Sequence, residues 1–414
     1  MLIKTIPSFN KKKIFNDPIY GFITIPYEIV FDLIEHPYFQ RLSRIRQLGM
    51  SYLVYPGALH TRFHHALGAM HLMGRAIEVI RSKGIKITEE EAKGVTIAIL
   101  LHDIGHGPFS HALENSIVHG ITHEDISSLL MNNLNTQFKG ELSIAIKIFK
   151  DQYPKRFLHQ LVSGQLDMDR LDYLSRDSFF TGVSEGIVGY DRIIKMLNVV
   201  DDRLVIEEKA IYSIESFLIS RRLMYWQVYL HKTVLAAENL MINILKRAKE
   251  LSAKGEDLFA TPSFAEFLKN NHTSSSFKNA TIIKKFTALD DVDIMASVKV
   301  WVHHPDFILS RLASMMINRR LYKITLSNTP FTKNELKAQL NIYRKQYGLS
   351  EKEASYLAFT GSISNKVYNL DSDKIYILQK GGKLIDFAKA TDQLNIQVLK
   401  KEIIKHFLCY TFEG

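Results

Sequence analysis

The sequence predicts a mainly α-helical protein that ends in a small α+β lobe. Apolar residues recur at helical spacing from residue 27 to about residue 321, with only short breaks. Beyond that point the pattern changes: Lys374–Leu378 predicts a strand before a pair of glycines, and Ile396–Phe407 predicts a helix. We therefore expect two units, residues 1–325 and 326–414.

Composition restricts the class of protein. A chain of 414 residues with 46% hydrophobic residues can bury a large core. Because Cys409 is the single cysteine, an internal disulfide and a thiolate metal cluster are both excluded. No apolar run approaches the roughly 18 residues of a membrane span, and the N-terminus lacks the apolar core of a signal peptide. We expect a cytoplasmic protein without a membrane partner.

The formal net charge of +10 comes from basic residues that are scattered along the chain. This charge suits an anionic ligand. A small phosphorylated molecule explains it as well as nucleic acid does, and without a basic tract nucleic acid is not favoured.

Residues 1–30 predict a short extended segment, either a small hairpin or a docked arm, and helices follow from Tyr27. Apolar residues between turn signals at Asp17-Pro18, Gly21 and Pro26 indicate this segment. Pro37 is typical of a helix start, and the helix that it begins is predicted to reach Ile45.

The next predicted helix starts near Arg62 and carries His65 on its apolar face. That face continues through four small or apolar residues, Gly68, Ala69, Leu72 and Ala76. Small side chains allow another element to approach closely, so we expect His65 to point inward. His64 and His71 lie on other faces and are interpreted as ordinary surface or helix-end histidines.

The sequence HDIGHGPFSH at residues 102–111 follows a predicted buried helix, Val95–Leu101. His102 and Asp103 then lie at the inner end of this helix, where a polar pair without partners is costly to bury. A bound cation would supply a partner, because imidazole and carboxylate groups bind divalent metals. Hydrogen bonds within the pair and to the backbone are the alternative.

Two further stretches concentrate polar chemistry. Thr122 is predicted to cap a helix that starts at His123. The sequence DMDRLDYLSRD at 167–177 places four carboxylates and two arginines within eleven residues. On a helix, one face is shared by Asp169, Asp172, Tyr173 and Arg176. Leucines on the other sides indicate that some of these charges are buried and paired.

A single long helix is predicted from Ala210 to about Ala248, after a short strand at Leu204–Ile206. Arg221 and Tyr229 are eight residues apart on this helix, so they are expected to line one groove.

Together, RFHH at 62–65, the 102–111 motif, His123-Glu124 and the 167–177 motif resemble the HD-domain phosphohydrolases. Within this superfamily the sequence is most similar to the deoxynucleoside-triphosphate triphosphohydrolase-like branch. The resemblance covers about residues 40–325 and is vague over the last ninety. It implies an HD-domain helical bundle with a helical extension over 1–325, and a small α+β lobe over 326–414.

The resemblance implies one divalent metal ion, bound by His65, His102, Asp103 and Asp169. Two imidazoles and two carboxylates carry a charge of −2 and leave open positions for phosphate oxygens and water. This ligand set serves Fe, Mn, Zn, Ni or Mg, and additional Mg on the substrate phosphates stays open.

The resemblance also assigns catalytic roles. His123 matches the catalytic histidine, a general acid or base. His106 and His111 match supporting histidines near the substrate phosphates. Glu114 stands where close relatives carry the shorter aspartate, which leaves the relay from Glu114 to His123 open.

Six residues are expected to bind substrate: Arg62, Arg170, Tyr173, Asp177, Arg221 and Tyr229. The arginines would hold phosphates, and the tyrosines would lie close to the nucleoside. The family often has lysine at the position of Arg170, and arginine offers a planar fork instead of a point donor. An alternative for Arg62 is that it orients Asp172 or Asp177.

The implied reaction converts a deoxynucleoside triphosphate (dNTP) to deoxynucleoside and triphosphate. Hydrolysis of a nucleoside monophosphate or a cyclic nucleotide stays open, as does a non-catalytic protein that binds nucleotides or nucleic acid. Members of this branch assemble as dimers or larger oligomers, so a homo-oligomer, dimeric or tetrameric, is also expected.

Overall fold

The computed structural model describes residues 13–109, 118, 120–365, 374–391 and 403–411. Its elements are mainly helical, which confirms the predicted fold class at that level. Among the described residues, no helix has the length and apolar character that crossing a membrane requires.

The N-terminal part begins with the predicted hairpin. Strands β1 (Ile14–Asp17) and β2 (Gly21–Thr24) pair antiparallel. Helix α1 spans Glu28–Glu35, and the short α2 spans Pro37–Gln40. The prediction that the second helix reaches Ile45 was wrong, because the chain tightens into a 3₁₀ turn over Arg41–Arg44.

The burial of Arg41 accompanies this tighter turn. Its side chain is completely buried and donates hydrogen bonds to the carbonyl oxygens of Ile104 (2.8 Å) and Leu289 (3.2 Å). These tertiary contacts, which local sequence does not show, favour a turn that aims the guanidinium inward.

The remaining helices before residue 320 follow in chain order. They are α3 (Arg62–Ser82), α4 (Glu89–Leu101), α5 (His123–Gln137), α6 (Ser143–Phe149), α7 (Arg156–Val162), α8 (Met168–Thr181), α9 (Tyr190–Lys195), α10 (Ile211–Met224), α11 (Lys232–Ala253), α12 (Pro262–Lys269), α13 (Ala280–Phe286), α14 (Asp291–Trp301) and α15 (Phe307–Ile317). After residue 330 come α16 (Lys333–Tyr347), α17 (Glu351–Ala354) and α18 (Phe387–Ala390).

Helix α3 lies at the centre, packed against α4 and α8. The predicted inward face of α3 is buried from His65 through Ala76. Every residue of α4 from Val95 to Leu101 is buried, as predicted, and Thr88 caps the helix start with a hydrogen bond from the Glu91 backbone. Three central helices therefore bring their polar ends to one place.

The long helix predicted from Ala210 to about Ala248 is interrupted. After α10, one wide π-helical turn spans Tyr225–Tyr229, and His231 is extended (φ −61°, ψ 130°) before α11 begins. The His231 side chain accepts a hydrogen bond from the Thr233 backbone, so it caps α11. Wide turns of this kind are frequent at functional sites.

Two sheets accompany the helices. A four-stranded sheet has the order β3 (Leu197–Val200), β4 (Arg203–Glu207), β7 (Tyr376–Leu378), β8 (Leu384–Asp386), and a three-stranded antiparallel sheet has the order β5 (Lys323–Ser327), β9 (Ile403–Tyr410), β6 (Ala358–Asn365). In the chain, β3 and β4 of the first sheet lie between α9 and α10. The strands predicted at 204–206 and 374–378 are present as β4 and β7.

The helix predicted at Ile396–Phe407 was wrong from residue 403 onward, and residues 396–402 lie outside the described residues. Ile403–Tyr410 is the central strand of its sheet, so pairing on both sides overrides the helical pattern. The proposed boundary at 325/326 falls inside β5, and β4 pairs with β7 in parallel. Backbone hydrogen bonds therefore connect the two proposed units.

Candidate active site

The four predicted metal ligands come from three helices that meet at one end of the core. His65 lies in the first turns of α3, His102 ends α4 with Asp103 directly after it, and Asp169 lies in the first turn of α8. Helix starts and ends supply these ligands because a side chain there can reach beyond its own helix.

The ligand atoms converge closely. His65 Nε2 lies 3.1 Å from Asp169 Oδ1 and 3.4 Å from His102 Nε2. His102 Nε2 lies 3.4 Å from Asp103 Oδ1 and 3.5 Å from Asp169 Oδ1. Ligands bound to one ion at roughly 2.1 Å are separated by about 3 Å, so His65, His102 and Asp169 fit a single divalent ion, and Asp103 forms a second group with His106 and His123. Asp169 keeps 23% of its side chain exposed and lines a cavity. The open coordination positions of a bound metal would face this cavity.

Both metal-facing histidines are oriented by hydrogen bonds on their other ring nitrogen. His65 Nδ1 lies 2.7 Å from Asp172 Oδ2, and His102 Nδ1 lies 2.6 Å from the Ile99 carbonyl oxygen. These partners leave Nε2 of each ring free to bind a metal. The arrangement is typical of imidazole ligands in metalloproteins.

Asp172 is held in turn by Arg176. The guanidinium donates to both carboxylate oxygens, at 3.0 Å and 2.9 Å, and its third nitrogen donates to Asp17 at 2.8 Å. Both Asp172 and Arg176 are completely buried, so the prediction of buried, paired charge in this helix is confirmed. Sequence reasoning did not find the contribution of Asp17, which comes from the N-terminal hairpin.

The electrostatics of the centre also fit a cation. Burial by itself would lower the pKa of His65, but hydrogen bonds to Asp169 and Asp172 raise this pKa to about 10. Burial would raise the pKa of Asp103, yet Arg62 and His102 hold it well below its usual range. A divalent metal would take the place of the His65 proton among the same carboxylates.

His106 and His123 lie beside this centre. Their rings stack with centroids 3.9 Å apart and an angle of 18°. His106 Nε2 is 3.3 Å from Asp103 Oδ1, so Asp103 faces both His102 and His106. Burial, followed by the charge of Arg62, lowers the pKa of His106 well below its usual value, which keeps this ring neutral. The predicted catalytic residues His111 and Glu114 lie outside the described residues.

A cavity of about 570 Å³ opens from the metal centre. It is lined by all six predicted substrate residues, namely Arg62, Arg170, Tyr173, Asp177, Arg221 and Tyr229. Asp103, Asp169, His106 and His123 line it as well. The cavity therefore joins the metal ligands, the paired histidines and the predicted substrate residues in one space, and Arg221 and Tyr229 share it as predicted.

Arg221 is positioned to bind an anion. It is only 8% exposed, and among the described residues its Nε and Nη1 atoms have no hydrogen-bond partner. Arg170 donates from Nη1 to Asp167 at 3.2 Å, while its buried Nε also has no partner in the described part of the chain. Buried unpaired guanidinium groups are costly, so a ligand with several anionic oxygens would complete them.

Two other predicted substrate residues are engaged within the protein. Arg62 forms a close ion pair with Asp103. Asp177 is 1% exposed, and its two oxygens bind His60 Nε2 and the Tyr229 hydroxyl, each at 2.7 Å. The alternative that Arg62 orients Asp172 or Asp177 finds no support here, because the partners of Asp172 are those named above. Direct contact of Asp177 with substrate stays a prediction.

Sequence reasoning missed one wall of the cavity. Residues 47–49, Ser51, Tyr225, Glu238 and Ile242 line it. Asp291 supports this wall from behind, since its carboxylate accepts hydrogen bonds from the backbone of Phe109 (2.8 Å) and Arg46 (3.0 Å). These contacts join residues 182 and 245 positions apart, and no local pattern marks them.

Asp291 should make stability depend on pH. Burial raises its pKa to about 6, although the two backbone donors favour the charged form. Because the folded chain holds this proton more tightly than the unfolded chain does, stability falls as pH rises from about 4 to above 6. Relative to Asp291→Asn, the free energy of unfolding of the natural protein should fall by up to about 3 kcal/mol over that range. Urea denaturation at pH 4.5 and pH 7.5 measures it.

The matched control for this measurement is Asp257→Asn, because Asp257 is exposed. The pH-dependent change in unfolding free energy, taken relative to the natural protein, should be larger for Asp291→Asn than for Asp257→Asn. The same change in both variants would show that burial does not raise the pKa of Asp291.

The fold and the site define a mainly helical protein with clustered His and Asp side chains that could hold a divalent metal. Residues 62–177 match the HD domain, and residues 188–262 match the HD associated region. A phosphohydrolase from Bacteroides thetaiotaomicron, known from a crystal structure, is 54% identical to this chain in sequence. The two structures align with a TM-score of 0.94, over 97% of this chain and 100% of that one. The chain belongs to the HD-domain phosphohydrolase superfamily and is dNTPase-like within it.

Two curated proteins are also similar to this chain in sequence. An uncharacterized protein of Bacillus subtilis is 30% identical over 397 residues, 92% of this chain and 88% of the relative. The deoxynucleoside triphosphate triphosphohydrolase SAMHD1 homolog of Dictyostelium discoideum is 32% identical over 262 residues, 59% of this chain. The match spans about half (51%) of that relative's length.

Proposed function

We propose that this protein hydrolyses dNTPs to deoxynucleoside and triphosphate, using one divalent metal ion. The cavity carries the proposal, because it joins the His/Asp centre to two tyrosine rings and to Arg221, whose Nε and Nη1 have no hydrogen-bond partner among the described residues. A nucleotide matches this arrangement, because its anionic phosphates are attached to a nucleoside with a flat base. The activity of the SAMHD1 homologues supports the choice of dNTP.

Different residues of the chain would bind the metal, the phosphates and the nucleoside. His65, His102, Asp103 and Asp169 would hold Fe, Mn, Zn, Ni or Mg, which when bound polarises phosphate and acidifies water. Arg170 and Arg221 hold phosphate oxygens, and Tyr173 and Tyr229 flank the nucleoside. Additional Mg on the phosphates is compatible with this arrangement.

The reaction itself is a water attack on the α-phosphorus. The bond between this phosphorus and the 5′ oxygen breaks, and the departing oxygen takes a proton. His123 transfers protons in this step, and the neutral His106 stacked on it fixes its ring. His111 and Glu114 stay in supporting roles that rest on the resemblance alone.

The direct test uses purified protein with Mn²⁺ or Mg²⁺ and each dNTP, with and without other nucleotides as activators. Chromatography should show deoxynucleoside and triphosphate. Release of orthophosphate or pyrophosphate would instead indicate a different cut, and turnover of monophosphates or cyclic nucleotides a different substrate. If no nucleotide is hydrolysed, while single-stranded nucleic acid binds tightly with a steep salt dependence, the protein is a binding module.

Assembly is part of the proposal. We expect a homo-oligomer, dimeric or tetrameric, as in related members of the superfamily. Analytical ultracentrifugation with and without dNTP measures it, and a monomer under both conditions would contradict it.

His123→Ala should lower kcat on dNTPs by about a hundredfold, the usual contribution of a positioned acid or base. Metal content should stay unchanged, because His123 is outside the four-ligand set. His71→Ala is the control, since His71 stacks on Tyr20 away from the cavity (ring centroids 5.2 Å apart). A kcat for His123→Ala close to that of the control would remove His123 from the reaction.

A further inference from the structure

Glu238 is a cavity residue that the proposed reaction does not use. It lies on α11, one turn before Ile242, and both side chains line the cavity. Three other carboxyls line this space: Asp103 and Asp169 belong to the metal centre, and Asp177 is bound by His60 and Tyr229. Within the described part of the chain, the Glu238 carboxyl shows no hydrogen bond or ion pair.

Glu238 lies on a different element from the metal ligands and the cavity arginines. Helix α11 packs against the turn at Ser51–Leu53, whereas the metal ligands come from α3, α4 and α8, and Arg170 and Arg221 from α8 and α10. Burial raises the pKa of Glu238 to about 7. A nucleotide with its phosphates at Arg170 and Arg221 would direct its opposite end, the base, toward this region.

The uncharged part of the cavity lining suits a base. Leu48, Tyr225, Leu230 and Ile242 belong to it, together with Gln47 and Ser51. Aromatic and aliphatic side chains pack against the flat faces of a base without distinguishing one base from another. A carboxyl among these residues can distinguish the bases, because it can form hydrogen bonds with the edge of the base.

We propose that Glu238 selects guanine, by accepting two hydrogen bonds from the base; this inference rests on the proposed function. An ionised carboxylate offers two acceptors side by side. Guanine presents two neighbouring donors, its ring N1–H and its 2-amino group. Adenine and cytosine present a donor beside an acceptor, and thymine presents one donor between two carbonyl oxygens. Guanine therefore matches both carboxylate oxygens.

The energetics favour this assignment. Donors on the ligand favour the charged form of a buried carboxyl, and hydrogen bonds to a charged acceptor are stronger than neutral ones. A base with an acceptor on the same edge would leave one carboxylate oxygen facing that acceptor. A site built to pair with polar groups discriminates strongly against ligands that lack them.

A competition assay tests the inference. The natural protein, Glu238→Gln and Glu238→Ala each receive an equimolar mixture of the four dNTPs, and chromatography measures the deoxynucleosides released. We expect the natural protein to favour dGTP by at least about tenfold, since one charged hydrogen bond is worth that ratio or more. Glu238→Gln offers one acceptor and one donor, so its preference should move toward dATP and dCTP. Glu238→Ala should lose the preference altogether.

The control is Glu78→Gln, the same substitution at an exposed position of α3. It should keep the ratios of the natural protein. Equal rates for all four dNTPs in the natural protein, or unchanged ratios in Glu238→Gln, would overturn the inference and leave the proposed function intact.

A binding measurement separates the two proposals. If no dNTP is hydrolysed, the proposed function fails, and calorimetric titration with the four deoxynucleosides still decides the role of Glu238. Tighter binding of deoxyguanosine that Glu238→Gln abolishes would support it. Equal affinities for all four in the natural protein would refute it.

Discussion

Replacing His102 with alanine should remove the metal and lower dNTP hydrolysis by at least about a thousandfold. His102 Nε2 lies within 3.5 Å of ligand atoms on His65, Asp103 and Asp169. Its loss therefore removes the central ligand of the proposed metal site. A catalytic metal supplies several kcal/mol of transition-state stabilisation, and about 4 kcal/mol corresponds to a thousandfold change in rate.

The matched control is His159→Ala. His159 also bonds a backbone carbonyl through Nδ1, that of Ile148 at 2.9 Å, but it is not part of the cavity lining. Metal content is measured by mass spectrometry after dialysis, beside activity and the melting temperature. If His102→Ala keeps one tightly bound metal per chain while the melting temperature is unchanged, the four-ligand assignment is wrong.

The family resemblance named the four proposed metal ligands, and helical periodicity predicted the element on which each of them lies. His65 shares the small-residue face of α3, and His102-Asp103 follow the continuous apolar run of α4. Asp169 begins a helix whose charged face is visible at three- and four-residue spacing. Local periodicity determines these helix positions, and the fold brings ligand atoms of His102, Asp103 and Asp169 to within 4 Å of His65 Nε2.

The supporting contacts could not be predicted in the same way. Asp17 reaches Arg176 from 159 residues away, and Asp291 reaches Phe109 from 182 residues away. Such contacts depend on how whole elements pack, and a carboxylate in a hairpin or at a helix start carries no mark of its distant partner. The same limit applies to Glu238, whose helical position alone suits an ordinary surface acid.

Besides the helix that ends before the Arg41–Arg44 turn, two element assignments were wrong, and both have a tertiary cause. Ile403–Phe407 carries apolar residues that suit a helix or a strand equally, and pairing with β5 and β6 decides for a strand. The break at Tyr225–Tyr229 occurs within a pattern that reads as continuous helix. The structure places Tyr225 and Tyr229 of this wide turn in the cavity, so the departure from regular helix coincides with the site.

Gly68→Ala should destabilise the protein by about 3 kcal/mol or more, although alanine is the better helix former. A β-carbon at Gly68 would overlap the Asp172 carboxylate and the Arg176 guanidinium, which are fully buried. Neither group can move without losing its partner, and breaking a buried ion pair is among the most costly changes in a folded chain. Because Asp172 orients His65, metal affinity should fall by about 10- to 100-fold as well.

Gly74→Ala, on the same helix, is the matched comparison. A β-carbon there meets no atom within 4 Å, so this substitution should stabilise the protein by about 0.5 to 1 kcal/mol through reduced backbone freedom. Urea denaturation of both variants, with metal titration of each folded protein, measures the contrast. Similar stability of the two variants would mean that the Asp172–Arg176 pair yields easily, and an unchanged metal affinity for Gly68→Ala would mean that the pair does not hold His65 in position.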